Sequence, residues 1–198
     1  MGGQTRRGGP AVKPFLFDLG NFLRVASREQ LLRHYFRGND EALRRALRTA
    51  QAKGFIQIST ELVRPWSHPG TPIVRLQAGE PCLPAGQIAY EATQRWSAPV
   101  IPMLVIRGTA TLATLHGGMV RTIASGHLSH EMAITDVFLT KRLNDPTFQW
   151  SLVQARPGTG VLPDAIAGGL ACEVVGRYSR ASVAAKLSLA GTMDLELW

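Results

Sequence analysis

Four acidic residues in the C-terminal half of the chain are spaced as metal ligands could be. Glu131 and Asp136 lie in one helical stretch, Asp164 follows Pro163, and Glu173 heads the apolar run Glu-Val-Val. A carboxylate on a strand-end turn, a second on the next strand and a third on a preceding helix can converge on one hard cation. Mg²⁺ takes oxygen ligands of this kind and activates water for phosphodiester cleavage. On this reading Asp164 and Glu173 are ligands, Glu131 or Asp136 is the third, and Lys186 stands near the attacked phosphate. The plainer reading makes Pro163-Asp164 an ordinary turn, pairs Glu173 with an Arg and leaves Asp136 on a helix surface. His130 is either a metal ligand or general base, or, as we expect, a structural side chain bonded to a neighbouring strand. His34, His68, His116 and His127 show no metal-ligand spacing with one another. Gly168-Gly169 lacks the context of a phosphate loop, and Gly117-Gly118 reads as a hairpin turn.

A second chemistry belongs to the cations. Residues 1–53 carry 11 Lys/Arg against 4 Asp/Glu, whereas residues 54–198 carry 11 against 10. Nearly all of the +8 net charge therefore lies in the first quarter, which suggests a polyanionic partner for that region. Arg44, Arg45, Arg48 and Gln51 share the polar face of one helical pattern, where Arg can pair with guanine and Gln with adenine in a major groove. Arg64 and Trp66 fall in a Pro/Gly-rich loop that could reach backbone or minor groove. Arg6, Arg7 and Lys13 could act as an arm in a neighbouring minor groove. The competing reading is a solvated Arg face, with Trp66 packed on a domain junction.

The elements that would position these groups follow from periodicity and caps. Residues 13–20 read as a short helix, with Pro14 in its first turn and Gly20 at its end. Ser27 caps a second helix, with Gln30 completing a capping box. Asp40 caps a third helix running to Lys53, whose apolar stripe is Leu43, Ala46, Leu47 and Ala50 and whose stop is Gly54. Residues 55–59 and 73–77 read as strands flanking the 60–72 loop. Helix, helix, helix, strand, loop, strand is the order of a winged helix, the second and third helices forming a helix-turn-helix and 60–72 the wing. Beyond it, 86–96 reads as a helix, 103–126 as strands, 129–143 as a helix capped by Ser129, 148–155 and 171–175 as strands, and 179–189 as a helix capped by Ser179.

Cys82 and Cys172 sit in apolar surroundings with no CxxC pattern, as expected of buried thiols in a reducing compartment. No apolar run approaches the ~18 residues of a membrane span, and residues 1–10 have no apolar h-region. We therefore expect a cytoplasmic chain with no membrane partner.

Pro163-Asp164 followed by Glu173 resembles the PD-(D/E)xK nuclease core, with Val175 where that pattern has lysine and Lys186 placed to supply the cation from the next helix. More broadly, the run from His130 through Glu131, Asp136, Trp150, Leu162-Pro163-Asp164-Ala165 and Glu173-Val174 to Lys186 resembles the replication-relaxation family, over about residues 14–190. The resemblance implies a winged helix followed by a nuclease-like domain, on a plasmid or mobile-element protein acting in replication, relaxation or mobilisation. The expected fold class is α+β. The expected segments are a basic arm at 1–12, a winged helix at 13–78, a junction at 79–102 and a mixed α/β PD-(D/E)xK-like domain at 103–198. The expected partner is double-stranded DNA, with the C-terminal domain open to homodimerisation or a protein partner. Its nuclease-like domain is expected to be inactive, with Mg²⁺ the cofactor if it cleaves. The alternatives are a Mg²⁺-dependent nuclease and a winged-helix transcriptional regulator.

Overall fold

The computed structural model describes residues 12–67, 70–81, 83–116, 123, 125–153 and 161–198. The expected basic arm with Arg6 and Arg7, together with His68, Cys82 and the Gly117-Gly118 turn, lies outside them. The fold is α+β, and the chain divides into two units: 1–59 with 104–121, and 60–103 with 122–198.

In the first unit, α1 (Val12–Asn21) leads to a short strand β1 (Val25–Ser27), then α2 (Arg28–His34), α3 (Asp40–Ala52) and β2 (Ile56–Val63). The capping box forms as expected: the Gln30 N–H donates to Ser27 Oγ (3.0 Å) and the Ser27 N–H donates to Gln30 Oε1 (2.8 Å). The cap of α3 is Asn39, whose Oδ1 accepts the Ala42 N–H at 3.0 Å. Asp40, expected in that role, spends its carboxylate on Arg28 and Arg44 instead. Leu43, Ala46, Leu47 and Ala50 are buried, as the helical period requires.

The sheet of this unit has the order β1-β4-β2, β4 being Ile101–Gly108. β1 runs antiparallel to β4 with Ala26 opposite Ile106. This corrects the expected hairpin of 55–59 with 73–77, because β2 finds its partner in β4. Of the strands expected over 103–126, β4 forms, 110–116 is helical instead, and 117–122 and 124 lie outside the described residues. After β4 the chain forms α5 (Ala110–His116), and the Leu112 N–H donates to Thr109 Oγ1 at its start. Leu112 and Ala113 bury one side of that turn, so the Thr-rich alternation is a capped helix. Gly20 lets α5 approach α1, since a Cβ there would stand 3.1 Å from the His116 ring.

The second unit has a five-stranded sheet in the order β3-β8-β7-β6-β5. These strands are β3 (Val74–Leu76), β5 (Ser151–Leu152), β6 (Ala165–Ala167), β7 (Leu170–Glu173) and β8 (Asp194–Leu197). β3 pairs antiparallel with β8, Val74 facing Leu197. β6 and β7 make a hairpin through Gly168 (φ 55°) and Gly169 (φ 93°), a two-residue turn that needs positive φ at both positions. β7 and β8 are parallel, which requires a crossover; α7 (Arg180–Leu187), capped by Ser179, supplies it. Ala171, Val175, Leu195 and Leu197 pack with Ile88 and Ala92 of α4 (Ala85–Arg95) and with Val183 and Leu187 of α7. The other face carries α6 (Leu128–Asn144), whose Phe138 ring lies 5.3 Å from that of Trp150. α6 begins at Leu128, and Ser129 is not its cap: the Ser129 hydroxyl accepts the Arg64 N–H at 2.9 Å.

Candidate functional sites

The cations of α3 and the carboxylates of the second unit differ in exposure. On α3, Arg44, Arg45, Arg48 and Gln51 all point to solvent. Burial of the opposite stripe fixes this, because residues three and four apart share a helix face. Arg44 Nε lies 2.8 Å from Asp40 Oδ2, and Arg45 Nη2 lies 3.5 Å from Glu41 Oε1. The two guanidiniums remain 68% and 67% exposed, so these pairs are weak and easily exchanged for another anion. Arg48 has no acidic partner among the described residues. Lys53 closes the helix, also exposed.

The two wing residues lie in the second unit. Trp66 is buried, its ring 6.2 Å from that of Trp96 with the Arg95 guanidinium 5.8 Å from its centroid. Arg64 is half-buried, and its guanidinium donates to the Ala98 carbonyl. Both take part in the packing of the second unit; Trp66, being buried, is corrected from a DNA-contact candidate to a structural residue, while Arg64 keeps part of its surface exposed. The polar loop composition was a poor guide because Trp66 is drawn inward by apolar area, worth about 25 cal/mol per Å².

In the second unit, Asp164 precedes β6, Glu173 ends β7, and Lys186 reaches in from α7. The Lys186 ammonium lies 2.8 Å from Glu173 Oε1 and donates to the Leu162 carbonyl at 2.7 Å. At 2.8 Å from Oε1 the ammonium stands at ion-pair distance from the buried carboxylate. Asp164 Oδ2 accepts the Val174 N–H at 2.8 Å. His130 Nε2 is 2.8 Å from the Val174 carbonyl and 3.4 Å from Asp164 Oδ2, the strand-bonding role expected of it. Val175 is fully buried in the apolar layer against α4 and α7, where a lysine would not be tolerated without a partner.

Glu173 is fully buried. Burial, with the nearby Asp164 charge, pushes its carboxyl up to about 8, against a pull downward from Lys186. The Tyr178 hydroxyl is also held above its usual range by burial and by the same two carboxylates. These residues fit a Mg²⁺ shell poorly. One carboxylate is inaccessible and already faces an ammonium, and the other is engaged by a backbone N–H. Among the described residues no three His, Cys, Asp or Glu side chains are grouped to hold a metal. Glu131, expected as the third ligand, is buried on α6 and does not join Asp164 and Glu173.

A further buried cluster was missed from sequence. Glu196 on β8 is 1% exposed, with Arg75 Nη2 2.6 Å from Oε1 and Lys141 Nζ 2.6 Å from Oε2. The Trp198 indole N–H donates to the same Oε2 at 3.0 Å. The alternation Asp194-Leu-Glu-Leu197 was the available signal for this strand. Beside it the Cys172 thiol is pushed up to about 12 by burial, which makes it an inert core group. No helix among the described residues is long and apolar enough to cross a membrane. The chain matches no protein-family model, no curated protein and no solved structure.

Proposed function

We propose that this chain is a DNA-binding protein of a plasmid or mobile element, acting in replication, relaxation or mobilisation. α3 is its recognition helix, and the second unit is a nuclease-like scaffold that does not cleave. The observation that carries the reading is the outward row Arg44, Arg45, Arg48 and Gln51 on a helix whose opposite stripe is buried. The element order α1-β1-α2-α3-β2-β4, with the sheet order β1-β4-β2, supports a winged-helix reading of the first unit. In it β2 and β4 take the places of the wing strands, and the chain between them contains β3 and α4.

Such a helix docks by neutralising phosphates and by reading base edges. The test is fluorescence anisotropy of the full chain on duplex DNA across salt. Replacing Arg44, Arg45 and Arg48 with Ala should weaken binding and reduce the log–log salt slope by about 2–3, since each phosphate contact contributes about 0.9. Unchanged binding refutes the recognition helix.

A second reading, a Mg²⁺-dependent nuclease, draws support from the meeting of Asp164, Glu173 and Lys186. Supercoiled plasmid incubated with Mg²⁺ or Mn²⁺ separates the two. The scaffold reading expects no metal-dependent nicking, and nicking abolished by Asp164→Ala would establish the enzyme.

A further inference from the structure

Beside the outer face of α3 lies a groove of about 1230 Å³, formed by α1, α3 and α5 together with Phe55. Leu16, Phe36, Ala46 and Leu115 line it, and Arg45 and Lys53 stand on its α3 side. The lining is mostly apolar, yet Phe17 and Leu115 are 42% and 60% exposed, so among the described residues nothing covers the groove's apolar surface. Among the described residues Arg45 is paired with Glu41 alone, at 3.5 Å and exposed, and Lys53 is exposed at the helix end.

We propose that this groove binds an acidic amphipathic α-helix of a partner protein. Size and charge both select that occupant. The lining of α3 runs from Ala42 to Lys53, about 16 Å at 1.5 Å per residue. A three-turn helix of that length and about 10 Å diameter fills roughly 1250 Å³. Small-molecule sites enclose their ligand in about 300–1000 Å³, and this groove is larger and open along its length. Apolar side chains of the incoming helix would cover the floor at i, i+3, i+4 and i+7, with Asp or Glu on its flank meeting Arg45 and Lys53. A second copy of this chain is disfavoured, because it would bring together surfaces of a protein with net charge +8. Since Arg45 serves both faces, the bound helix would compete with DNA for it. Helix binding itself does not depend on the DNA reading.

The probe is a fluorescein-labelled peptide of about 14 residues, with Leu at helical spacing and Glu on both flanks. Its counterpart carries Lys in place of every Glu. Titrated without DNA against the full chain, the Glu peptide should bind at least about tenfold more tightly than the Lys peptide. Arg45→Glu with Lys53→Glu should weaken it by about tenfold or more. Thr49→Trp, an exposed position lining the groove, should block it by filling space, and urea unfolding should confirm that each variant is folded. Failure of the Glu peptide to bind, equal binding of both peptides, or binding indifferent to Thr49→Trp each overturns the proposal. So does a sedimentation dimer that disappears in Leu115→Glu, which would make a second copy the occupant. Because no DNA is present, either failure is separable from loss of duplex binding.

Discussion

α3 and the β6–β7 hairpin both concentrate charge, and they dispose of it in opposite ways. On α3, three guanidiniums stand in water, and the pairs they make, with Asp40 and Glu41, cost little to break. At the hairpin, Glu173 is sealed from water and its countercharge comes from Lys186 of the same unit. Glu196 repeats that pattern with Arg75 and Lys141. Exposed charge costs no desolvation and remains available to an external anion. Buried charge must be matched internally, because an unmatched ion in the interior costs several kcal/mol. The contrast supports the proposal that the first unit recognises an anion and the second serves as scaffold.

The contrast can be broken most forcefully at Lys186. Lys186→Ala leaves Glu173 without a countercharge, and at pH 9 urea unfolding should show a loss of about 1 kcal/mol, because a carboxyl that titrates near 8 gains only that much by ionising there and otherwise keeps its proton. At pH 5 the carboxyl, pushed up to about 8, is protonated and the loss should be much smaller. A pH-independent loss would mean that Lys186 contributes by packing alone. The pH profile of the parent rests on the same burial. Unfolded Glu173 ionises near 4.5 and the folded group near 8. Between these values the unfolded state releases a proton that the native state keeps, so stability contributed by this group falls as pH rises from 4.5 to 8. Glu173→Gln should flatten that fall, and parallel profiles for the two proteins would contradict the burial argument.

Smaller effects sharpen the picture of the first unit. Ser27→Ala removes the capping box of α2 and should cost about 1 kcal/mol in urea unfolding, with no change in the salt slope of DNA binding. Glu41→Gln frees Arg45 from its pair and should alter stability by only a few tenths of a kcal/mol, while raising DNA affinity slightly. A lowered affinity would mean that Glu41 itself positions the recognition helix.

What could be read from sequence was local. The Ser27–Gln30 box, the Leu43-to-Ala50 stripe and the Ser179 cap depend on residues within a few positions of one another, and they formed. The meeting of Asp164, Glu173 and Lys186 was readable because a hairpin and a following helix are the shortest ways to bring such residues together. The partner of β3 was not readable, because Leu197 lies far along the chain from Val74. α5 was hidden because Thr-rich alternation suits a strand until Thr109 caps a helix. Trp66 was misjudged from loop composition, although its place was set by Trp96 and Arg95. The groove beside α3 had no sequence signal, since α5 joins α1 and α3 only from far along the chain.

The most direct measurement is duplex DNA affinity against salt for three proteins side by side: the parent, the Arg44/Arg45/Arg48→Ala variant and Lys186→Ala. The account predicts that the α3 variant loses affinity and slope while Lys186→Ala keeps the parent slope. Equal slopes for parent and α3 variant, or a slope lost with Lys186, would place the DNA contacts elsewhere and contradict it.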